Sequence, residues 1–151
     1  MWAEFRETSK PGILGLPPDI LLVHLGNNHL TECCGKAIIL DVLRDLQEWK
    51  CRYTEIRLVW STVVPCYVWR VECDPHCLNQ ARRKVNREVC RATCQGLGSL
   101  ISHPNINWDT PQLYRGDGVH LSDQAMEIFL TDFKWDLRVE VFCLMGKMEH
   151  S

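Results

Sequence analysis

The sequence predicts an α/β protein whose strands form a parallel sheet between layers of helices. Three short segments have the length of strands, and the first of them, residues 19–25, is nearly continuously apolar, as in a strand buried on both faces. Longer segments with apolar residues at helical spacing alternate with them. Because alternating strands and helices give parallel strands, the carboxyl ends of these strands should share one edge of the sheet, where such folds bind ligands.

The elements are expected in a simple order. Residues 1–16 have the pattern of a weak amphipathic helix, which Pro17-Pro18 separates from the rest. The predicted strands cover residues 19–25, 55–60 and 99–102, and the predicted helices cover residues 36–49, 78–95 and 122–137. Ser122 is a suitable N-cap for the last helix. Residues 139–145 fit either a further strand or a poorly packed tail, so we divide the chain into a helical segment (1–16), a main domain (17–138) and a tail (139–151).

Composition and charge argue against several classes of partner. The net charge of −2 provides no general attraction for nucleic acids or anionic membranes. No run of 18 apolar residues occurs, and the first six residues, Met1 to Arg6, include charged side chains, so we expect neither a membrane span nor a signal peptide. The cations in the predicted helix 78–95 are interpreted as a solvated face. A cytoplasmic location is therefore expected.

Nine cysteines are a high number for 151 residues. Cys73, His76 and Cys77 are three potential zinc ligands. Cys90 and Cys94, one helical turn apart, are two further candidates. The alternative is that the cysteines are reduced thiols, which pack as small apolar side chains in an intracellular protein. We adopt this second interpretation and expect neither a metal nor another cofactor.

The segment from Asp117 to Ser122 carries the clearest chemical signal. It places an aspartate three residues before a histidine, on a glycine-containing turn ahead of a predicted helix. In one class of serine hydrolase, such a carboxylate orients the imidazole, which takes the proton of the nucleophile. No Gly-Asp-Ser or Gly-x-Ser-x-Gly motif precedes this pair in the sequence. The chain thus shows an acid–base pair without an evident nucleophile.

Two segments together resemble the SGNH hydrolase (GDSL-type esterase/lipase) superfamily. They are residues 18–30, with Gly26-Asn27-Asn28-His29 after a predicted strand, and residues 114–122, with the Asp117/His120 pair. The resemblance covers roughly residues 17–137 and looks closest to esterase-like domains of vertebrate retroelement-derived proteins. It implies a flavodoxin-like three-layer fold and carboxylic-ester hydrolysis.

The resemblance also implies roles for individual residues. Asn28 matches the asparagine of the oxyanion hole, with Gly26 and Asn27 as binding residues beside it. His120 matches the general base, and Asp117 matches the residue that orients His120. Within this block, two positions depart from the superfamily pattern: Asn27 and His29 replace the usual second glycine and the aspartate.

The superfamily's serine and glycine blocks, and the strand that carries the nucleophile, have no counterpart in the sequence, so we expect the chain to correspond to an N-terminally truncated hydrolase. Ser61 is the best substitute nucleophile, because it follows a predicted strand at the ligand-binding edge. A structural role for Trp60-Ser61 is the alternative. Cys66, Cys33 and Cys34 are further candidates, because a thiolate needs less activation than a hydroxyl.

Two interpretations of function follow. In the preferred one, the chain is an esterase-like domain with impaired catalysis, because triad residues act as a unit. In the other, it is an active hydrolase of a small ester with a substitute nucleophile, or a non-catalytic interaction module. The missing strand would also leave residues 19–25 as an apolar sheet edge, which predicts self-association.

Overall fold

The structure is a computed structural model that describes residues 18–25, 30, 35–69 and 74–148, with side chains up to residue 145. The helix predicted for residues 1–16 lies outside these ranges. The Gly26–His29 block and the Cys33/Cys34 pair also lie outside them.

The described residues form three strands and three long helices. The strands are β1 (Ile20–Val23), β2 (Arg57–Ser61) and β3 (Ser99–Ile101). The helices are α1 (Gly35–Arg52), α2 (Pro75–Ala92) and α3 (Asp123–Met148). A short π-helical turn, Thr93–Leu97, follows α2, and a 3-10 turn, Pro111–Leu113, lies between β3 and α3.

The strands form a parallel sheet in the order β1-β2-β3. Side chains alternate between the two faces of β2. Leu58 and Trp60 belong to the apolar core that α1 and α2 supply. Arg57 and Ser61 point to the other face, where Arg57 pairs with Glu140 of α3 at 2.9 Å. Helices therefore cover both faces of the sheet, which confirms the predicted α/β layered fold.

Local sequence signals explain where the helices begin. The Asp74 side chain accepts a hydrogen bond from the backbone N–H of His76 at 2.9 Å, which caps α2, and Pro75 occupies its first turn. Ser122 caps α3 as predicted, because its hydroxyl accepts from the backbone N–H of Ala125 at 3.3 Å. Asp74, which lies between candidate zinc ligands, thus has a structural role.

The C-terminal region differs from the prediction. Helix α3 continues to Met148, so the strand proposed for residues 139–145 is wrong, and the helix crosses the domain boundary proposed at residue 138. Apolar residues in this part of the helix face solvent, with Phe142 72% and Val139 59% exposed. A run of apolar residues can be strand or helix by pattern, and its continuity with a long helix decides the outcome here.

The basic face of α2 is mostly solvated, as predicted, with one exception. Arg83, Lys84, Arg87 and Arg91 are exposed. The Arg82 side chain instead turns inwards and donates to the backbone carbonyl of Val63 at 3.1 Å. Arg82 therefore stabilises the loop after β2. None of the helices in the described ranges is long and apolar enough to cross a membrane.

We expect the protein to self-associate through its exposed apolar surface. Strand β1 lies at an edge of the sheet among the described residues, Leu22 is 36% exposed, and Phe142 on α3 is 72% exposed. Light scattering after size exclusion should show dimers or larger species, and Phe142→Glu should shift the distribution towards monomer. Gln124→Glu, an exposed position on the same helix, is the control for added charge. A monomeric wild-type chain that does not bind the hydrophobic dye ANS would contradict this expectation.

Candidate functional site

The loop that carries Asp117 and His120 is closed by its own backbone. Tyr114 and Leu121 form a β-bridge, and the Arg115 N–H donates to the His120 carbonyl at 2.8 Å. Gly118 has a φ of +67°, a left-handed conformation that favours glycine. The backbone conformation therefore explains the glycine that follows Asp117. The closed loop holds Asp117 and His120 at fixed positions.

Asp117 holds His120 through both of its carboxylate oxygens. Oδ1 accepts hydrogen bonds from the backbone N–H groups of Val119 and His120, each at 3.0 Å. Oδ2 lies 2.5 Å from His120 Nδ1. The N–H of Val119, followed by that of His120 and by the His120 ring, lowers the pKa of Asp117 well below its usual range. Asp117 is thus a carboxylate at neutral pH.

This arrangement sets the chemistry of the His120 ring. Because a carboxylate accepts at Nδ1, the proton of the neutral ring lies on Nδ1 and the lone pair lies on Nε2. A neutral histidine in this tautomer is a general base. The His120 side chain is 63% exposed, so Nε2 is open to solvent and to a ligand. The expected Asp117–His120 hydrogen bond is present, while the catalytic roles of the two residues stay a prediction.

Among the described residues, no nucleophile contacts this base. In the described part of the chain, no hydroxyl group forms a hydrogen bond with Nε2 of His120, and Ser122 caps α3. Gly26, Asn27 and Asn28 lie outside the described residues, so the predicted oxyanion-hole contact stays a prediction. The pair therefore has the geometry of an acid–base element, and no serine hydroxyl of the described residues lies in position to be deprotonated by it.

The loop after β2 packs against the Asp117/His120 loop. The backbone N–H groups of Tyr67 and Val68 both donate to the Gly118 carbonyl at 2.9 Å. The Tyr114 hydroxyl lies 3.2 Å from the Pro65 carbonyl and 3.1 Å from that of Asn107. Burial of the Tyr114 ring raises the pKa of its hydroxyl, which stays a proton donor to these carbonyls. The two loops thus form one edge of the site.

A second group of polar side chains lies at the carboxyl ends of the strands. Ser61, the last residue of β2, has its hydroxyl 2.8 Å from His24 Nδ1 and 2.8 Å from His103 Nε2. His103 Nδ1 lies 2.8 Å from Asp132 Oδ2 on α3. Val23 pairs with Trp60 and Ser61 with Ile101 in the sheet, so the register places His24 beside Ser61. Four side chains from three strand ends and one helix therefore form one hydrogen-bonded chain.

The directions of these hydrogen bonds follow from the carboxylate. Asp132 accepts, so the neutral His103 ring carries its proton on Nδ1 and accepts at Nε2. Ser61 then donates to His103 and accepts from His24 Nδ1–H. The lone pair of His24 consequently lies on Nε2, at the end of this row of hydrogen bonds opposite Asp132. His103 is the base that a serine hydroxyl requires, and Asp132 orients it.

Aromatic rings surround the hydrogen-bonded side chains of His24, Ser61 and His103. Phe129 and Phe133 of α3 lie against His103, with ring centroids 4.4 and 5.3 Å from the imidazole. Phe129 also lies 4.9 Å from the ring of His24. His24 is exposed as a residue, but its ring edge contacts Ser61 and Phe129, and this partial burial is the largest cause that lowers its pKa to about 4. The neighbouring His103 lowers it further, and the hydrogen bond to Ser61 acts in the opposite direction.

The sequence indicated Ser61 but not its partners. His24 directly follows β1, and His103 lies two residues after β3. The rule that ligand-binding residues follow parallel strands could have identified both histidines. Asp132 has no such signal, because an aspartate within a helix is usually a solvated residue. The structure also shows that Ser61 is hydrogen-bonded to His103.

The remaining candidates are the cysteines. Cys66 is buried, and neither it nor Cys77, Cys90 or Cys94 forms a disulfide, while Cys73 lies outside the described residues. Within the described ranges, no group of three or more His, Cys, Asp or Glu residues is arranged to hold a metal ion. The second ligand pair proposed for zinc, Cys90 and Cys94, lies at the end of α2 and the start of the π-helical turn.

Comparisons with known proteins support the fold. No protein-family model matches the chain, and a search of curated proteins finds no match. Among solved structures, the chain is similar to a GDSL-like lipase from Bacteroides thetaiotaomicron, with a TM-score of 0.71. The two are 16% identical, and the match covers 92% of this chain and 69% of the lipase chain. The described domain therefore has the fold of a GDSL-like lipase.

Proposed function

We propose that this protein is an esterase-like member of the SGNH superfamily whose catalysis at the Asp117/His120 pair is impaired. The observation that carries the proposal is the open Nε2 of His120: the base is oriented by Asp117, yet no described hydroxyl contacts it. Ser61, the candidate substitute, is hydrogen-bonded to His24 and His103. The sequence motifs at residues 18–30 and 114–122 favour kinship with retroelement-derived esterase-like domains.

The expected impairment is large. In serine hydrolases the nucleophile and base act as a unit, and loss of the serine alone removes about six orders of magnitude in kcat. An oriented histidine without a nucleophile can activate only water, which is a weak nucleophile. The Asp117/His120 loop is therefore better suited to bind a small ester or acyl group than to hydrolyse it. No cofactor is needed for this role.

Kinetic comparison of variants tests the proposal. Wild-type protein and His120→Ala should hydrolyse a short-chain aryl ester at rates equal within about twofold, because no described hydroxyl contacts His120 to be activated by it. His76→Ala is the matched control, since His76 is an exposed histidine on α2 whose ring lies against Trp108. It corrects for the slow reaction of any solvent-exposed imidazole with aryl esters.

A contrary result would have a clear form. If His120→Ala and Asp117→Asn each lowered kcat/KM by a hundredfold or more, as expected for removal of a working general base and its orienting residue, the Asp117/His120 pair would be catalytic. The proposal of impairment at this pair would then be wrong.

A further inference from the structure

We propose that Ser61, His103 and Asp132 form a nucleophilic serine site for esters of small acyl groups, which His24 covers in the described conformation. This proposal concerns a different histidine and a different aspartate from those of the Asp117/His120 pair. It therefore does not depend on the proposed function.

The geometry of the three side chains is that of a serine triad. The Ser61 hydroxyl lies 2.8 Å from His103 Nε2, and the opposite ring nitrogen lies 2.8 Å from Asp132 Oδ2. A nucleophile bonded to a base that is itself oriented by a carboxylate is the arrangement that nucleophilic catalysis requires. The His103 side chain is 1% exposed, and Asp132 is 18% exposed, so the pair is held away from bulk water. Low water access strengthens both hydrogen bonds.

The position of Ser61 supports a functional site at the sheet edge. It is the last residue of β2, the middle strand of the three, and the two flanking strands deliver His24 and His103 to the same point. Ligands of parallel α/β sheets bind at this edge. A serine needed only for packing could have its hydroxyl satisfied by one backbone carbonyl. Here it is held by two imidazoles, one of which is oriented by a carboxylate.

His24 separates Ser61 from solvent. Ser61 is completely buried, whereas His24 is exposed and its Nδ1 lies 2.8 Å from the Ser61 hydroxyl. The imidazole thus extends from the hydroxyl to the surface. Rotation of the His24 side chain about Cα–Cβ opens a space the size of an imidazole next to the hydroxyl. Phe129 and Phe133, which flank the His24 ring at 4.9 and 6.3 Å, would form its apolar walls.

The size and polarity of this space define the substrate class. A space the size of an imidazole holds an acyl group of roughly two to four carbons, and aromatic walls favour apolar groups over charged ones. Long-chain fatty acyl groups would not fit without displacement of α3. Esters of short aliphatic acids are therefore the class that the site accepts.

The reaction balances with the residues present. The Ser61 oxygen bonds to the acyl carbon, and its proton moves to His103 Nε2, where Asp132 stabilises the imidazolium. His103 then gives this proton to the departing alcohol as the ester C–O bond breaks. Water subsequently attacks the acyl carbon and gives a proton to His103. His103 returns this proton to the Ser61 oxygen as the bond between that oxygen and the acyl carbon breaks, which releases the carboxylic acid and restores the hydroxyl.

Covalent labelling tests the site directly. A small ethyl fluorophosphonate probe reacts with activated serines, releases fluoride and leaves a stable adduct that peptide mapping can locate. We expect slow labelling of the wild-type chain at Ser61 and labelling of His24→Ala at least about tenfold faster, because the cover is removed while the base stays in place. His24→Ser is a second variant that opens the same path.

Paired variants separate this triad from other causes of labelling. In the His24→Ala background, His103→Gln and Asp132→Asn should each slow labelling, the first by about a hundredfold or more, and Ser61→Ala should abolish the adduct. Ser102→Ala, an exposed serine near the end of β3, should leave the rate unchanged. His120→Ala should also leave it unchanged, which distinguishes this result from a test of the Asp117/His120 pair.

The contrary outcomes are equally definite. If no Ser61 adduct forms in the wild-type chain or in whichever of His24→Ala and His24→Ser keeps a cooperative thermal transition, the chain of hydrogen bonds has a structural role and the proposal is wrong. A labelling rate that is insensitive to His103→Gln would also overturn it. Slower labelling in a folded His24→Ala variant would show that His24 assists Ser61 and does not cover it.

Discussion

Replacement of Trp60 by alanine should destabilise the protein by about 3–5 kcal/mol, the usual cost of removing a large aromatic side chain from a core. Trp60 lies in β2, is 2% exposed and belongs to the core that packs α1 and α2 on the sheet. The cavity left behind borders several rigid elements, so it cannot collapse without moving a strand. Chemical denaturation monitored by circular dichroism measures this loss.

Trp135 provides the matched control for this change. It is the same residue type on α3, but its side chain is 64% exposed, and its contact with the Arg138 guanidinium is a surface interaction. Trp135→Ala should change the free energy of unfolding by no more than about 1 kcal/mol. Equal effects of the two substitutions would contradict the assignment of the core to the α1/α2 face of the sheet.

Gly98→Ala should have a comparable effect for a different physical reason. Gly98 precedes β3. A Cβ added there would lie 2.4 Å from the carbonyl oxygen of Leu58 and 3.1 Å from the carbonyl carbon of the same residue. Because the obstructing atoms belong to the backbone of β2, the two strands would have to separate. We expect a loss of about 3 kcal/mol or more, at the upper end of the range for overpacking.

Gly116→Ala is the control for Gly98→Ala. No heavy atom lies within 4 Å of a Cβ added at Gly116, and its φ is not positive. Its thermal midpoint should match that of the wild-type chain within about 2 °C. A stable, cooperative Gly98→Ala variant would contradict the close approach of β3 to β2.

The sequence predicted the fold well because apolar residues dominate the strands. The predicted strands 19–25 and 99–102 contain β1 and β3, and the predicted strand 55–60 overlaps β2, which ends one residue later at Ser61. The apolar run of residues 19–25 is typical of a strand with helices on both faces. The boundaries differ by a few residues because caps and local packing decide where an element ends. The end of α3 differs most, since the pattern of its exposed apolar residues fitted either a strand or a poorly packed tail, whereas the helix continues through them.

The two polar groups at the sheet edge differ in how visible they are in sequence. Asp117 and His120 are three residues apart on one turn, so a local motif identifies them. Ser61, His103 and Asp132 are far apart in sequence and meet only through the sheet register and the packing of α3. Such a group depends on long-range contacts, which no local pattern encodes. The sequence identified only Ser61 of these three residues as a candidate, because the end of a predicted strand is a local feature.

Nitrogen-15 NMR of the histidine side chains tests whether the Ser61 hydroxyl at the sheet edge is hydrogen-bonded to His103 and not to His120. Ring nitrogen shifts report the tautomer and protonation state of each imidazole. We expect Ser61→Ala to shift the signals of His24 and His103 and to leave those of His120 unchanged. In the wild-type chain, His24 should stay neutral until the pH falls to about 4. If Ser61→Ala shifted the His120 signals and left those of His24 and His103 unchanged, the serine would belong to the Asp117/His120 pair, and the account would be wrong.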